Sequence, residues 1–110
     1  MNQFVTIREF ANSILKCGTN KQNWKLINDY CCGGYAKVNE ELVAFIHQFN
    51  LAHDIPLDAI YTGKMMMGIL DLIGQDYFVK GSSILAIHTG GLQGNKGMNA
   101  RLGLSLPTKL

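Results

Sequence analysis

No apolar run in this sequence approaches the length needed to cross a bilayer, and its opening residues, MNQFVTIREF, lack the basic-then-apolar layout of a secretory signal. The chain is therefore expected to be cytoplasmic. Neither sign of charge is in clear excess: ten basic and eight acidic residues, spread along the chain, give a net charge of +2. That supplies no electrostatic footprint for nucleic acid or a membrane surface, and neither is expected as a partner. Cysteine is sparse. Of the three, Cys17 stands alone, and the adjacent Cys31 and Cys32 have no second pair with which to complete a zinc site. Reduced thiols and no metal are expected. Internal repeats and low-complexity segments are lacking as well.

What is present is an ordinary globular composition, 47% apolar and 16% charged over 110 residues, which fits a single domain (1-110) able to bury a modest core. Thr6 to Glu9 have the spacing of a capping box. Ile7, Phe10, Ala11, Ile14 and Leu15 then share one helical face up to a stop at Gly18. Trp24, Leu26 and Tyr30 in WKLINDY suggest a short strand, ended by Gly33 and Gly34. Asn39 caps a second helix whose Leu42, Phe45, Ile46 and Phe49 recur at helical spacing. Pro56 keeps Ile55 out of helical geometry, so HDIPLDAIY reads as an extended connection.

A third helix is expected from about Tyr61 or Thr62 to Ile73, ending at Gly74. SSILAIHT, apolar without alternation, has the pattern of a strand covered on both faces. It stops in the glycine-rich loop GGLQGNKG, with a brief last helix around Asn99 to Leu102. Helices alternating with buried strands indicate an α/β fold, a partial three-layer αβα arrangement with a short parallel sheet. Two strands leave both sheet edges open, a short count for a complete domain.

Ligands of open α/β sheets sit beyond the carboxyl ends of strands, where HTGGLQG lies. Its glycines would let backbone N–H groups approach a ligand, or would simply turn the chain. Neither Gly63-Lys64 nor the glycines from 90 to 97 reproduce a known phosphate-binding pattern. Taken singly, the other polar residues also have plain readings. Thr62 would be an N-cap, Lys64 a solvated side chain, Met65 to Met67 core filler, His88 a hydrogen-bonded structural histidine, and Tyr35 a turn closer.

Their order along the chain says more. DYCCGGYAKVNEELVAFI, IPLDAIYTGKMMMGILDLI and ILAIHTGGLQGNKGM together resemble the C-terminal part of the 1-aminocyclopropane-1-carboxylate deaminase and D-cysteine desulfhydrase family, from about Trp24 to Met98. These are pyridoxal 5′-phosphate enzymes of the tryptophan-synthase-β-like fold. The resemblance implies that Tyr61 in YTGK is the active-site tyrosine, with Tyr35 in GGYAK a second tyrosine reaching the same site. It further implies that Thr62 faces the cofactor's pyridine nitrogen and that Thr89, with Gly90, lines the cofactor and substrate. A phenol of lowered pKa could then exchange protons with a substrate carbon, the second hydroxyl stabilising its phenolate. A threonine hydroxyl could donate to a neutral pyridine nitrogen.

Within this family the ring-opening deaminases look like they carry Glu and Leu where this chain has Thr62 and Thr89. The resemblance therefore favours desulfhydrase-like β-elimination on a small amino acid. Cys31 and Cys32 stand where relatives commonly have a histidine. The family's Schiff-base lysine and phosphate loop belong to earlier segments, and Lys64 does not match that lysine. The chain is expected to be inactive by itself, its partner being the missing N-terminal portion or a second copy in a homo-oligomer. The alternative is a non-catalytic, self-associating remnant domain.

Overall fold

The computed structural model describes residues 23–109; the helix expected over 6–18, and Cys17 with it, lies outside them. Three helices follow in order: α1 (Glu40–His53), α2 (Thr62–Gly74) and α3 (Leu92–Leu102). α1 begins as its sequence requires. The Asn39 side chain accepts the Leu42 N–H at 2.8 Å, and Glu40 and Glu41 sit in the first turn, where carboxylates suit the helix dipole. Leu42 and Ile46 are fully buried on one face.

The core is a single cluster in which Leu42 and Ile46 meet Leu57 and Ala59 of the connection, Met98 of α3 and Leu106 beyond it. Met66 and Met67 pack against its side, as filler would. Asn95 clamps three segments around this core. Its side chain accepts the Ala59 N–H at 2.9 Å and donates to the Leu57 and Pro107 carbonyls at 3.1 and 2.7 Å.

α3 is longer than expected: it starts at Leu92, inside the glycine-rich stretch. Gly94 and Gly97 weaken an isolated helix, but Leu92, Asn95 and Met98, three residues apart, are all buried, and that packing outweighs propensity. The left-handed Gly91 (φ 92°) opens the helix and Gly103 (φ 66°) closes it.

The expected α/β fold is overturned. Among the described residues there is no strand, and so no short parallel sheet and no αβα layering; the regular structure is helical. The two expected strands, over 24–30 and 82–89, are absent: 24–28 and 82–89 are irregular and 29–30 lie in a turn. An apolar, β-branched run favours an extended backbone, but a strand exists only as a ladder with a neighbour, and neither segment has one here. Nor is the second covered on both faces, since Leu85 and Ile87 are 85% and 64% exposed.

Candidate active site at the mouth of the second helix

The entrance to α2 is organised by one carboxylate. Asp58 is buried, and its Oδ2 accepts the Ile60 and Tyr61 N–H groups at 2.8 and 2.7 Å. Its Oδ1 accepts the Thr62 N–H at 2.8 Å and the Thr62 hydroxyl at 2.6 Å. The Asp58 N–H in turn donates to Thr62 Oγ1 at 2.9 Å, and its carbonyl accepts the Gly63 N–H at 2.8 Å. An aspartate turn thus runs into the helix and satisfies its orphan donors, with negative charge where the dipole favours it. Tyr61, at the N-cap position, makes no side-chain cap. The capping role expected of Thr62 belongs to Asp58.

The next two residues of YTGK have equally definite duties. A Cβ on Gly63 would lie 2.6 Å from the Asp58 carbonyl oxygen and 2.9 Å from Ile46 Cδ1, so only glycine fits. The Lys64 ammonium, expected in solvent, instead donates to the Cys31 and Gly34 carbonyls at 2.9 and 3.0 Å. The start of the same turn is held by Tyr30, whose hydroxyl donates to Asp71 Oδ2 at 2.6 Å. Its ring lies on Gly68, where a Cβ would be 2.9 Å from Tyr30 Cδ2.

This anchored turn delivers Tyr35 to Tyr61. Their hydroxyls are 3.0 Å apart and their rings tilted at 51°, so two residues widely separated in sequence form a hydrogen-bonded phenol pair. Both rings are about half exposed, at 57% and 54%, and they line a cleft of about 390 Å³ with Ile60, Lys64, Met65 and Ile69. That volume suits a small molecule, and the walls are mostly apolar. The Tyr35 hydroxyl bonded to Tyr61, helped by partial burial and the Asp58 charge, pushes the Tyr61 phenol above the usual tyrosine range. The expected lowered pKa is therefore not what the geometry gives: Tyr61 rests as a protonated acid. Burial likewise pushes the Cys32 thiol up, away from a reactive thiolate. Cys31 and Cys32 are free thiols, and no group of three or more His, Cys, Asp or Glu that could hold a metal occurs among the described residues.

Thr62 is buried, and its single hydroxyl hydrogen is committed to Asp58. In this arrangement it has no hydrogen to give a neutral ring nitrogen and could only accept from a protonated one. Thr89 is exposed, beside the left-handed Gly90 (φ 90°), around which there is open space. His88 fixes this turn. Gly90 N–H donates to Nδ1 at 3.0 Å, so Nε2 carries the hydrogen and donates to the Pro56 carbonyl at 2.8 Å. Gly91 then packs on Asp58, where a Cβ would be 3.1 Å from Oδ1. The glycine turn and the helix mouth thus share Asp58 as their meeting point. Of the residues expected around pyridoxal phosphate, only Tyr35 and Tyr61 line the cleft; Thr62, Thr89 and Gly90 are not among its lining residues. The cleft's lysine is held on carbonyls.

Sequence reasoning missed Asp58, Lys64, Asn95 and Tyr30. Only Asp58 carried a local signal, an aspartate followed four residues later by the threonine opening a helix.

The class of protein to which this chain is related is the D-cysteine desulfhydrase and 1-aminocyclopropane-1-carboxylate deaminase family, as its motifs implied. The chain is 41% identical over 71 residues to a D-cysteine desulfhydrase of Klebsiella pneumoniae (strain 342), 64% of this chain and 22% of that protein. It is 40% identical over 68 residues to a protein of Pyrococcus abyssi named "Putative 1-aminocyclopropane-1-carboxylate deaminase", 62% of this chain and 20% of that one. A 71-residue stretch of a 110-residue chain necessarily includes residues 40–71, and with them the mouth of α2. The chain spans about a fifth of the length of these curated relatives. No family model and no solved structure matches it. No helix among the described residues is long and apolar enough to cross a membrane.

Proposed function

We propose that this chain supplies the substrate-facing wall of a pyridoxal 5′-phosphate-dependent enzyme that acts on a small amino acid by desulfhydrase-like β-elimination, and that it is inactive alone. The observation that carries the reading is the Tyr35–Tyr61 pair, hydroxyls 3.0 Å apart over an apolar cleft. Bound pyridoxal phosphate would supply the electron sink. Tyr61, held protonated, is the group that gives a proton at its hydroxyl, and Tyr35 stabilises the phenolate left behind. Asp58 fixes Tyr61 through the Tyr61 backbone N–H, and the apolar walls of the cleft favour a small apolar side chain. Thr89 and Gly90 line the cofactor side. Thr62 acts there through Asp58, and its presence with Thr89 favours sulfide elimination over ring opening, on the family resemblance.

The test is sulfide release from D-cysteine. The chain alone, given pyridoxal phosphate, is expected to release none. Mixed with a D-cysteine desulfhydrase from which the corresponding segment has been deleted, it restores release, and a Tyr61→Phe chain does not. Turnover by the chain alone would overturn the division of labour, and equal restoration by Tyr61→Phe would overturn the role of that phenol.

A second reading rests on a different observation: Val79, Leu85 and Ile87 are 82%, 85% and 64% exposed along one unladdered segment. Such a row suits self-association of a non-catalytic remnant, by pairing with a second copy. A monomeric mass in sedimentation at micromolar concentration would dispose of it.

A further inference from the structure

Lys64 follows Tyr61 by three positions at the start of α2, a spacing that places both on one helix face, and both line the cleft. Its two acceptors, the Cys31 and Gly34 carbonyls, bracket the turn that delivers Tyr35. That turn is conformationally costly. Gly33 and Gly34 (φ 101° and 130°) take positive φ freely, but Cys32 and Ala36 (φ 53° and 56°) are left-handed at a cost, and such residues persist only where their surroundings over-determine them. Within the turn, the Gly34 N–H reaches back to the Cys31 carbonyl at 3.1 Å. Tyr30 anchors the start of the turn on Gly68 and Asp71; at its end the Gly34 carbonyl accepts the Lys37 N–H at 3.1 Å, a bond within the same stretch, and the Lys64 ammonium, which ties it to α2. Point-charge donation to two carbonyls at once is a task an ammonium does well.

We propose that Lys64 is a positioning residue whose ammonium, by bridging the Cys31 and Gly34 carbonyls, fixes the turn so that the Tyr35 hydroxyl meets that of Tyr61. It acts through Tyr35. The inference rests on the proposed reading of the phenol pair as the working part of the site, but its test concerns the pair itself and so can fail separately from a sulfide assay.

The measurement is an NMR titration of the full chain labelled at tyrosine Cζ, with resonances assigned through Tyr35→Phe and Tyr61→Phe. The titratable groups around the Tyr61 phenol are Tyr35, bonded to it, Asp58, whose charge raises it from behind the backbone, and Lys64, which lines the same cleft. Losing a nearby positive charge would by itself raise a phenol's pKa, whereas losing the Tyr35 contact lowers it. Lys64→Met is expected to move the Tyr61 midpoint down, Lys64→Arg to leave it in place, and Lys64→Met to add nothing in a Tyr35→Phe background. An unchanged or raised midpoint in folded Lys64→Met would overturn the proposal. Should Lys64→Met not fold, the unsubstituted chain labelled at lysine Nζ gives the answer. A slowly exchanging Lys64 ammonium coupled to two carbonyls supports the bridge, and a signal exchanging like a solvent-exposed lysine overturns it. A folded chain that passes these tests yet restores no sulfide release would sink the enzymatic reading and leave the role of Lys64 standing.

Discussion

The mouth of α2, residues 56–64, where a connection runs into the first turn of the helix, and the stretch from 76 to 90 are both short and apolar-rich, and they end up in opposite states. In the first, Asp58 gathers the donors of Ile60, Tyr61 and Thr62, Thr62 and Gly63 are buried, and each residue of YTGK has one arrangement. In the second, a few ties hold the ends, such as His88 to the Pro56 carbonyl, while Val79, Leu85 and Ile87 stand in solvent. A segment that closes its own hydrogen bonds is defined by itself and its immediate packing. One whose sequence asks for a ladder stays undefined until a neighbour provides it.

The sharpest way to break this comparison is Asp58→Ala. It leaves the buried N–H of Thr62 and the partly buried N–H groups of Ile60 and Tyr61 without their acceptor. At ~1–3 kcal/mol for each donor left unpaired, the loss is on the order of the stability of a small domain. Chemical denaturation should show little or no cooperative folding; a midpoint near that of the unsubstituted chain would mean that the network is not what defines the helix mouth.

Next in size is Gly63→Ala, in which the new Cβ meets the Asp58 carbonyl and Ile46. We expect a loss of about 1–3 kcal/mol from overpacking, against a helix-propensity gain of about 1 kcal/mol that normally favours alanine. Gly74→Ala, where a Cβ meets nothing within 4 Å, is the control, and it should be neutral or slightly stabilising. Equal thermal shifts for the two variants would remove the packing argument.

Alkali probes the anchoring of the Tyr35 turn. The Asp71 carboxylate bonded to Tyr30, with partial burial, pushes its phenol from 10.0 up to about 12. A raised folded pKa means that this contribution is complete below pH 10 and is lost as pH rises through about 12. The unfolding midpoint should therefore fall across that interval, and Tyr30→Phe should flatten this part of the dependence. An identical alkaline profile in Tyr30→Phe would count against the bond.

The smallest effect is expected at Leu85→Lys. An exposed side chain with no partner should change stability by no more than about 0.5 kcal/mol. A large loss in urea would show the 76–90 stretch to be packed after all and would erase the contrast.

The helices were readable where the signals are local. Asn39 with its following glutamates, and apolar residues at positions 42, 45, 46 and 49, state α1 outright, and Gly74 marks the end of α2. α3 was underestimated because its glycines argue against a helix, and the argument for it lies in Asn95 and Met98 reaching a core made elsewhere. The strands expected over 24–30 and 82–89 were misread for the opposite reason: their residues favour extended chain, but pairing is a property of two segments. At the site, sequence motifs picked out Tyr35 and Tyr61, while Lys64 looked like one more solvated cation. Nothing local shows that its ammonium reaches carbonyls about thirty residues back in the chain, at Cys31 and Gly34.

Local signals in the sequence placed the start of α1 and both ends of α2, and ordered motifs gave the relation to the desulfhydrase and deaminase family and the pair of tyrosines worth watching. These rest on interactions between near neighbours or on ordered motifs. Only the tertiary structure decided that the phenols touch, that Asp58 gathers the donors of the helix mouth, that the Lys64 ammonium meets the Cys31 and Gly34 carbonyls, and that the apolar run over 82–89 goes unladdered. Hydrogen bonds between distant segments depend on where the chain folds back, and no spacing along it encodes that distance.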